Sequence, residues 1–511
     1  PILLSLLGMV AALVADKMRP GMILFSVVVL FLCAGILTPK EMLEGFSNKG
    51  MITVALLFLV SEGIRQSGTL GQVIKKLLPQ GKTTVFKAQL RILPSVAFIS
   101  AFLNNTPVVV IFAPIIKHWA KSVNLPATKF LIPLSYVTIL GGICTLIGTS
   151  TNLVVHGMIL EAGFEGFSMF ELGKVGIFIA IAGIIYIFLF SKRLLPDARP
   201  DTAVPDEEVE EGEKLHRVEA VLGARFPGIN KKLKDFNFQR HYGAEVKEIK
   251  TRNGQRFVSN LEDVVLHEGD TLVVMADDTF IPTWGESSVF VLLTNGNEPD
   301  TTGKKKRWFA LLLLVLMIVG ATVGELPVTK EMFPDIKLDM FFFVSITTII
   351  MAWTNLFPAR KYTKYISWDI LITIACAFAI SKAMVNSGVA DSVAKFIIGL
   401  SDDYGPHVLL AMLFIITNLF TELITNNAAA ALAFPLALSI ASQLGVSPTP
   451  FFVVICMAAS ASFSTPIGYQ TNLIVQGIGN YKFTDFVRIG LPLNIITFLI
   501  SIILIPLIWN F

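Results

Sequence analysis

Two thirteen-residue stretches of this chain are near-copies of each other. Residues 145–157 read TLIGTSTNLVVHG, and residues 465–477, which follow 320 positions later, read TPIGYQTNLIVQG. A second pair of polar triplets, Asn-Asn-Thr at 104–106 and Thr-Asn-Asn at 425–427, recurs with nearly the same offset. We therefore predict a duplicated unit in which each copy carries two polar breaks in otherwise apolar sequence.

The composition indicates that these breaks lie in a membrane protein. Of the 511 residues, 53% are hydrophobic and 15% are charged, whereas about a quarter of a soluble protein is charged. Several apolar runs approach or reach the roughly 20 residues that a helix needs to cross a bilayer. We expect an all-α polytopic protein embedded in a lipid bilayer, in which polar interruptions of apolar helices are the sites that bind ions and solutes.

The chain divides into three parts by composition. Residues 1–194 and 306–511 are the predicted first and second transmembrane repeats, and residues 195–305 form a linker and a soluble domain with its core at 212–296. An acidic run at 206–213 belongs to the linker. Basic clusters at both junctions, including 304–307, favour a cytoplasmic position for the soluble domain.

Short β-like stretches make the soluble part a small α+β domain. The predicted elements are strands at 218–222, 244–249, 263–266 and 271–275, a short helix at 229–236, a hairpin turn at Asn253-Gly254 and a tight turn at 267–270. Asn-Gly between β-like stretches is a strong hairpin signal.

Within each transmembrane repeat, two features interrupt the helical pattern. The apolar arms 107–120 and 428–440 each follow another apolar arm and a polar tip, which predicts two re-entrant hairpins. The longer apolar stretches 128–160 and 449–478 contain Gly-centred polar breaks at Gly148 and Gly468, which predicts two broken helices. Each broken helix would expose free N–H groups at one half and free carbonyl groups at the other.

The residue types in these breaks favour binding and transport over catalysis. Asn, Thr, Ser, Gly and Gln occupy them, and we find no Ser/His/Asp arrangement, phosphate loop or metal-ligand spacing, so we predict no enzyme activity, no cofactor and no nucleic-acid partner. Amide and carbonyl oxygens suit sodium, and the positive ends of half-helices suit an anion. Glu422, four residues before Asn426 in an apolar arm, is a candidate for gating or coupling because intramembrane charges are usually functional.

At these motifs the chain resembles the divalent anion/sodium symporter family. That family carries Ser-Asn-Thr motifs at two hairpin tips, here 104–106 and 425–427, and a Gly-Thr-x-x-Asn break in each half. Residues 148–152 fit the break well, while 468–472 have Tyr469 in place of Thr.

One branch of that family is especially similar. Residues 465–472, with 481–486 and 490–492, closely resemble a branch that contains sulfate transporters with soluble inserts between their halves. The insert of this chain is similar to the C-terminal module of TrkA-type potassium-transport regulators. The resemblance implies inverted-topology repeats and a homodimer, and we expect a multi-pass protein of a bacterial inner membrane.

The resemblance also implies the binding residues. One sodium site would involve Asn104, Asn105 and Gly148, and the other Thr425, Asn426 and Gly468. Sodium would be the coupling ion. The implied substrate-binding residues lie between the tips and breaks: Thr106, Asn427, Thr149, Ser150, Tyr469, Gln470 and Thr471.

The leading hypothesis is sodium-coupled symport of a divalent oxyanion, with sulfate first. A larger Asn at a tip, with Tyr469 and Gln470 at the break, would narrow the pocket in favour of tetrahedral sulfate. A second hypothesis is sodium- or proton-coupled dicarboxylate transport, with Glu422 carrying the proton. A gated channel and an anion sensor that binds without transport are two further hypotheses.

Overall fold

The computed structural model is mostly helical and contains one small sheet. It describes residues 2–15, 18–197, 216–223, 226–251, 255–277, 280–284, 289–294, 303–333, 335–400 and 405–511. The predicted acidic run at 206–213 and the Asn253-Gly254 turn lie outside the described residues.

The described residues before the sheet form ten α-helices. Proline opens two of them, α2 and α3, at the first helical position, where its missing N–H has no intrahelical partner to lose. The ten helices are α1 Ile2–Ala15, α2 Pro20–Cys33, α3 Pro39–Glu44, α4 Lys49–Gln66, α5 Thr69–Leu77, α6 Val85–Ser100, α7 Asn105–Ser122, α8 Leu131–Gly142, α9 Ser150–Glu161 and α10 Gly173–Leu194.

Between residues 216 and 294, the described part of the chain contains five strands and two short α-helices. In chain order these are β1 His216–Leu222, α11 Phe238–Tyr242, β2 Glu245–Lys250, β3 Arg256–Phe257, β4 Thr271–Ala276, α12 Phe280–Trp284 and β5 Phe290–Thr294.

Among the described residues that follow the sheet there are eleven α-helices. They are α13 Lys304–Gly324, α14 Pro327–Met332, α15 Met340–Trp353, α16 Tyr362–Tyr365, α17 Trp368–Asn386, α18 Val389–Leu400, α19 Gly405–Leu423, α20 Asn426–Leu444, α21 Thr449–Ser460, α22 Gln470–Gly479 and α23 Phe483–Ile508.

Among the described residues, seven helices are long and apolar enough to cross a membrane. Large apolar side chains on their outer faces are open to the surroundings, for example Leu507 at the end of α23, which is 73% exposed. Such an apolar exterior is suited to lipid. The seven helical spans are Pro39–Gln66, which includes α3 and α4, Gly173–Leu194, Lys304–Gly324, Trp368–Asn386, Gly405–Leu423, Asn426–Leu444 and Phe483–Ile508.

The two predicted hairpins correspond to the helix pairs α6/α7 and α19/α20. The polar tips lie between the helices of each pair, at 101–104 and 424–425. The second arm of the second hairpin, predicted over 428–440, is longer in the structure, because α20 extends in both directions to 19 residues, about 28 Å at 1.5 Å per residue. Length alone therefore does not decide whether this arm re-enters, and re-entry stays a prediction.

The structure interrupts both long apolar stretches at the predicted glycines. Between α8 and α9 the chain leaves the helix for residues 143–149, and between α21 and α22 for residues 461–469. The two regions also pack alike, since α6 lies against α8 and α19 lies against α21. Each hairpin is thus placed beside the broken helix of its own half.

The sheet is antiparallel with strand order β3-β2-β4-β1-β5. Alternate apolar side chains of its central strands form a core separate from that of the membrane helices, with Phe226 and Ile249 near its centre. The strands β3 and β5 were not predicted, whereas the predicted strands at 218–222, 244–249 and 271–275 correspond to β1, β2 and β4 within two residues.

Two predicted elements of the soluble part were wrong. Residues 229–236 do not form an α-helix, because Asn230 adopts a positive φ of 61° and the following residues bond across to 264–266 instead. That pairing amounts to one isolated bridge, Lys232 to Val265, so 263–266 is not a strand. The helix begins later, at Phe238, where the Asn237 side chain accepts a hydrogen bond from the Arg240 amide.

Candidate functional site

Four helix N-termini meet at the polar breaks. The helices α7, α9, α20 and α22 start directly after the N-cap residues Asn104, Thr149, Thr425 and Tyr469. Asn and Thr are favoured at N-caps because their oxygens can accept a hydrogen bond from the first turn. The fold brings these four helix starts together.

The tip of the first hairpin contacts the break of the second half. Asn105 Nδ2 donates a hydrogen bond to the phenolic oxygen of Tyr469, and Thr106 Oγ1 donates to Gln470 Oε1 at 3.3 Å. The phenolic oxygen also lies 3.2 Å from Thr149 Oγ1, at the break of the first half. Tyr469 therefore joins the starts of α7, α9 and α22.

The tip of the second hairpin contacts the break of the first half. Asn427 Oδ1 accepts hydrogen bonds from Ser150 Oγ and Thr151 Oγ1, both at 3.2 Å. Each hairpin tip thus pairs with the broken helix of the other half. This crossed pairing brings residues from both halves into one site.

None of the four N-cap side chains, all of which the structure describes, accepts a hydrogen bond from its own helix. Elsewhere the same residue type does cap, as Thr84 does for α6 by accepting from the Lys87 amide. The first amide groups at the site are therefore not capped by these side chains. Amide groups at a helix start carry partial positive charge and attract anions.

A cluster of oxygen atoms surrounds the first tip. Asn105, which is 2% exposed, has its Oδ1 2.7 Å from Ser100 Oγ, and that hydroxyl lies 2.9 Å from the Thr138 carbonyl oxygen. Gly142 and Gly148 approach closely, since a Cβ built at Gly148 would lie 2.5 Å from the Gly142 carbonyl oxygen. Only glycine permits this contact, which brings backbone oxygens next to the Asn105 amide.

The second tip has the matching cluster. Asn426 Oδ1 lies 2.8 Å from Thr421 Oγ1, and that hydroxyl lies 2.6 Å from the Ala459 carbonyl oxygen. A Cβ built at Gly468 would lie 2.1 Å from Ser462 Oγ and 2.4 Å from the Thr421 carbonyl oxygen. Ser462 stands where the first half has Gly142, so the second cluster gains a hydroxyl oxygen.

The repeated motif is explained by hydrogen bonds that shape each break. Thr145 Oγ1 accepts from the Gly148 amide at 3.1 Å, and Asn152 Nδ2 donates to the Thr145 carbonyl at 2.9 Å. Thr465 and Asn472 make the same two contacts in the second half, with the Gly468 amide at 3.3 Å and Nδ2 at 3.1 Å.

The two breaks differ in the hydrogen bonding of the side-chain amide oxygens of Asn152 and Asn472. Asn472 Oδ1 accepts a hydrogen bond of 2.7 Å from Ser135 Oγ of α8. In the part of the chain that the structure describes, the buried Asn152 Oδ1 has no hydrogen-bond partner. Of these two amide oxygens, only that of Asn152, in the first half, is therefore free to accept a further hydrogen bond.

Glu422 holds the second break in shape. Its carboxylate accepts hydrogen bonds from the amides of Ser464 and Thr465, both at 2.9 Å, and from Asn494 Nδ2 of α23 at 2.7 Å. All three partners are donors, which suits an ionised carboxylate. Ala101 occupies the matching position of the first half, so this charge belongs to the second half only.

Most of the predicted site residues lie around the four helix starts, but several of their hydrogen-bond partners were not predicted. The Thr471 hydroxyl is directed at Ser135 of α8, 2.8 Å away, rather than at a tip, whereas the unpredicted Thr151 bonds to a tip. Thr425 and Gln470 are exposed. Hydroxyl residues at a constant offset, Ser100 and Thr421, were a signal that could have identified the two tip partners.

The donor set at the site consists of neutral oxygens. Among the described residues there is no group of three or more His, Cys, Asp or Glu side chains that could hold a metal ion. Neutral carbonyl, amide and hydroxyl oxygens suit hard cations such as sodium and do not suit transition metals, which prefer imidazole or thiolate.

Comparison with known proteins identifies relatives over nearly the whole chain. A family model described as citrate transporter, CitMHS, matches residues 10–441 and 336–510. An uncharacterized transporter of Synechocystis sp. is 30% identical over 95% of this chain and 93% of its own length. In Chlamydomonas reinhardtii, a probable sodium/sulfate cotransporter is 23% identical over 94% of this chain and 85% of its own length. A sodium/sulfate cotransporter of the same organism is 31% identical over 55% of this chain and 31% of its own length.

Proposed function

The chain belongs to the citrate transporter family, CitMHS, and from this membership we propose that it is a sodium-coupled symporter of a divalent oxyanion, with sulfate as the substrate. Members of this family are membrane transporters and not enzymes. The observation that carries the proposal is the meeting of four helix starts whose N-cap side chains do not cap them. The names of two relatives support both the ion and the anion.

The anion would bind to amide groups and hydroxyls without a basic side chain. Thr106, Thr149, Ser150, Tyr469 and Asn427 supply polar atoms around the four helix starts. Each helix start stabilises a nearby negative charge by roughly 0.3–1 kcal/mol when exposed and up to about 2 kcal/mol when partly buried. Four starts offset only part of the cost of dehydrating a dianion, so we propose that bound sodium supplies the rest of the positive field.

The two oxygen clusters at the hairpin tips are the proposed sodium sites. The first would use Asn105 Oδ1 with backbone oxygens near Asn104 and Gly148. The second would use Asn426 Oδ1 with oxygens near Thr425 and Gly468. The close approaches at Gly148 and Gly468 support these positions, because each brings carbonyl or hydroxyl oxygens within reach of one ion.

Tyr469 supports sulfate over larger carboxylates. Its phenolic oxygen links Asn105 and Thr149, so the ring lies between two helix starts where the matching residue of the first half is Thr149 itself. A bulky side chain at that point reduces the room for a second carboxylate. Citrate or a dicarboxylate is the second candidate, because the matching family model is described as a citrate transporter.

The hydrogen bonds of Glu422 favour sodium over proton coupling. A proton carrier must alternate between the charged and neutral states, but this carboxylate accepts from Ser464, Thr465 and Asn494, all of which are donors. Protonation would displace at least one of these bonds. We therefore propose that Glu422 is a fixed charge that positions the second break.

Several features of architecture belong to the same proposal. The matched hydrogen bonds of the two halves support inverted-topology repeats, with re-entrant hairpins and two transmembrane units around a TrkA C-terminal-like domain. The basic start of α13, residues 304–307, supports a cytoplasmic position for that domain in a bacterial inner membrane. We also propose that the protein is a homodimer, as the family resemblance implies.

Uptake of radiolabelled sulfate into proteoliposomes tests the proposal. We expect uptake that requires an inward sodium gradient and falls to the level of empty liposomes when choline replaces sodium. Excess unlabelled citrate or succinate should compete weakly. Equal uptake in choline would disprove sodium coupling, stronger competition by a carboxylate than by sulfate would reassign the substrate, and sulfate binding without flux would indicate a sensor.

A further inference from the structure

The soluble domain contacts α7 directly through an ion pair. Lys117, in the last two turns of α7, has its Nζ 3.0 Å from both carboxylate oxygens of Glu219 on β1. Lys250 of β2, which is buried, lies 3.4 Å from the same carboxylate. The Glu219 carboxylate is therefore held between a cation of its own domain and a cation of the first hairpin.

The same domain also packs closely against α22. A Cβ built at Gly477 would lie 2.5 Å from Thr271 Oγ1 and 3.8 Å from Thr271 Cβ on strand β4. One turn nearer the start of α22, the turn at Gly269, with a φ of +85°, lies against the Leu473 side chain. The absence of a side chain at Gly477 therefore lets strand β4 approach α22 closely.

These contacts lie on the helices that build the candidate site. The helices α7 and α22 pack against each other, and their starts meet at Asn105 and Tyr469. A small gap between the domain and α22 is lined by Gln470, Leu473 and Gly269. The domain thus reaches within one turn of a proposed substrate residue.

The two halves differ in what covers this part of the broken helix. In the first half, Gly157 is the counterpart of Gly477, and a Cβ built there would lie 3.3 Å from the Cα of Gly50 in α4. In the second half, the soluble domain packs against Gly477. A membrane helix thus covers one broken helix, and a soluble domain covers the other.

The contact between the domain and α22 leaves a buried polar group without a hydrogen bond, which is expected of a contact that opens and closes. Within the described chain, the buried hydroxyl of Thr271, which faces Gly477 across this contact, has no hydrogen-bond partner. Buried polar atoms in a permanent core are nearly always paired. Release of the domain from α22 would let water reach the Thr271 hydroxyl.

We propose that the soluble domain is a brake on transport: docked on α7 and α22 it holds both helices in one arrangement, and uptake requires its release. The inference rests on the proposed transport function, because a brake needs a cycle to stop. The physical basis is that the starts of α7 and α22 form one side of the candidate site. Neither helix can move relative to the domain while Lys117 is paired with Glu219 and Gly477 is packed against Thr271.

A reversible disulfide tests the brake directly. The 3.8 Å between the two Cβ positions matches a disulfide, so Thr271→Cys with Gly477→Cys should crosslink in a background in which the exposed Cys33 is replaced by serine. We expect oxidation to lower sodium-driven sulfate uptake at least tenfold and dithiothreitol to restore it. Each single cysteine variant is the control, since it keeps the added bulk without the bond.

Two outcomes would overturn the brake: full uptake by the crosslinked protein, or failure of the pair to crosslink. Absence of sodium-driven uptake in the reduced protein would instead contradict the proposed function. A transport-independent measurement separates the two. Maleimide labelling of Gly477→Cys should accelerate at least threefold when Glu219→Gln is added, because the domain is released more often.

A variant without cysteines provides a second test. Glu219→Gln removes the ion pair with Lys117 and should raise the initial rate of sulfate uptake at least twofold. The matched control is Lys234→Gln, which breaks the exposed Lys234–Asp263 pair of the same domain, at 2.8 Å, and should leave the rate unchanged. An unchanged or lower rate in Glu219→Gln would contradict the brake.

Discussion

The side-chain amide of Asn105 donates a hydrogen bond to the phenolic oxygen of Tyr469, which lies 364 residues later in the chain. That one contact joins the first hairpin tip to the second broken helix. It also breaks the symmetry of the site, since Thr149 stands at the matching position of the first half and lies 3.2 Å from the same oxygen. The chemistry of position 469 should therefore affect anion binding most directly.

Replacing Tyr469 by phenylalanine should weaken sulfate transport without unfolding the protein. The ring keeps its packing, but Asn105 and Thr149 lose a shared partner. Leaving a buried polar group unpaired costs about 1–3 kcal/mol, and about 1.4 kcal/mol corresponds to a tenfold change in affinity. We expect the KM for sulfate to rise about tenfold in proteoliposome uptake.

The matched control for that variant is Tyr186→Phe. The Tyr186 hydroxyl donates to the Ile489 carbonyl at 3.0 Å, outside the site. Its loss should lower the amount of folded protein at most, and the KM should stay unchanged. Equal KM values for Tyr469→Phe and wild type would exclude a role of the hydroxyl in anion binding.

Alanine at the two tip amides should separate sodium binding from anion binding. Asn426→Ala removes an amide oxygen of the second cluster and should raise the sodium concentration for half-maximal uptake several-fold. Asn105→Ala should do the same and also raise the KM for sulfate, because Asn105 is bonded to Tyr469. Asn386→Ala, at an exposed amide, is the control. Unchanged sodium dependence in both tip variants would show that the proposed ion sites are wrong.

Glu422→Gln should destabilise the protein and leave the pH dependence of uptake unchanged. The amide nitrogen of glutamine would face hydrogen-bond donors at Ser464, Thr465 or Asn494. We expect a cost of about 1–3 kcal/mol, visible as a lower melting temperature in detergent. If uptake by wild type rises with acidity and that response disappears in Glu422→Gln, Glu422 carries the coupled proton after all.

The Glu219 carboxylate predicts an acid-sensitive contribution to stability. Burial opposes its ionisation, but Lys117 and Lys250 outweigh burial and lower the pKa of Glu219 from 4.5 to about 2. A lowered pKa in the folded state stabilises the protein above the unfolded value and loses that effect as the pH falls from about 4.5 toward 2. The melting temperatures of wild type and Glu219→Gln should therefore differ at pH 7 and converge below pH 4. Glu245→Gln, at an exposed ion pair, should show no such convergence, and a constant gap for Glu219→Gln would contradict the prediction.

Contacts between residues that are close together in the chain explain why the two breaks could be predicted from the sequence. Thr145, Gly148 and Asn152 interact with one another within seven residues, as do Thr465, Gly468 and Asn472. Because these effects depend on neighbours in the chain, their repetition at a fixed offset was enough to predict two similar breaks.

The short elements of the soluble part were harder to predict. The segment at 229–236 has helical composition, but Asn230 turns the chain and hydrogen bonds to 264–266 take the place of helical ones. Likewise, nothing local distinguishes Thr471, whose hydroxyl bonds to Ser135 on another helix, from Thr151, which bonds to a tip.

The amino-acid sequence by itself indicated a membrane protein with two similar stretches, each with a polar tip and a polar break, because apolar run length and the spacing of residues within each motif act locally. Only the tertiary structure decided that each tip pairs with the break of the other half, and that the soluble domain rests on α7 and α22. Those contacts join residues such as Asn105 and Tyr469 or Lys117 and Glu219, which lie 364 and 102 positions apart. Contacts at such separations depend on how whole helices pack, and local spacing does not specify that packing.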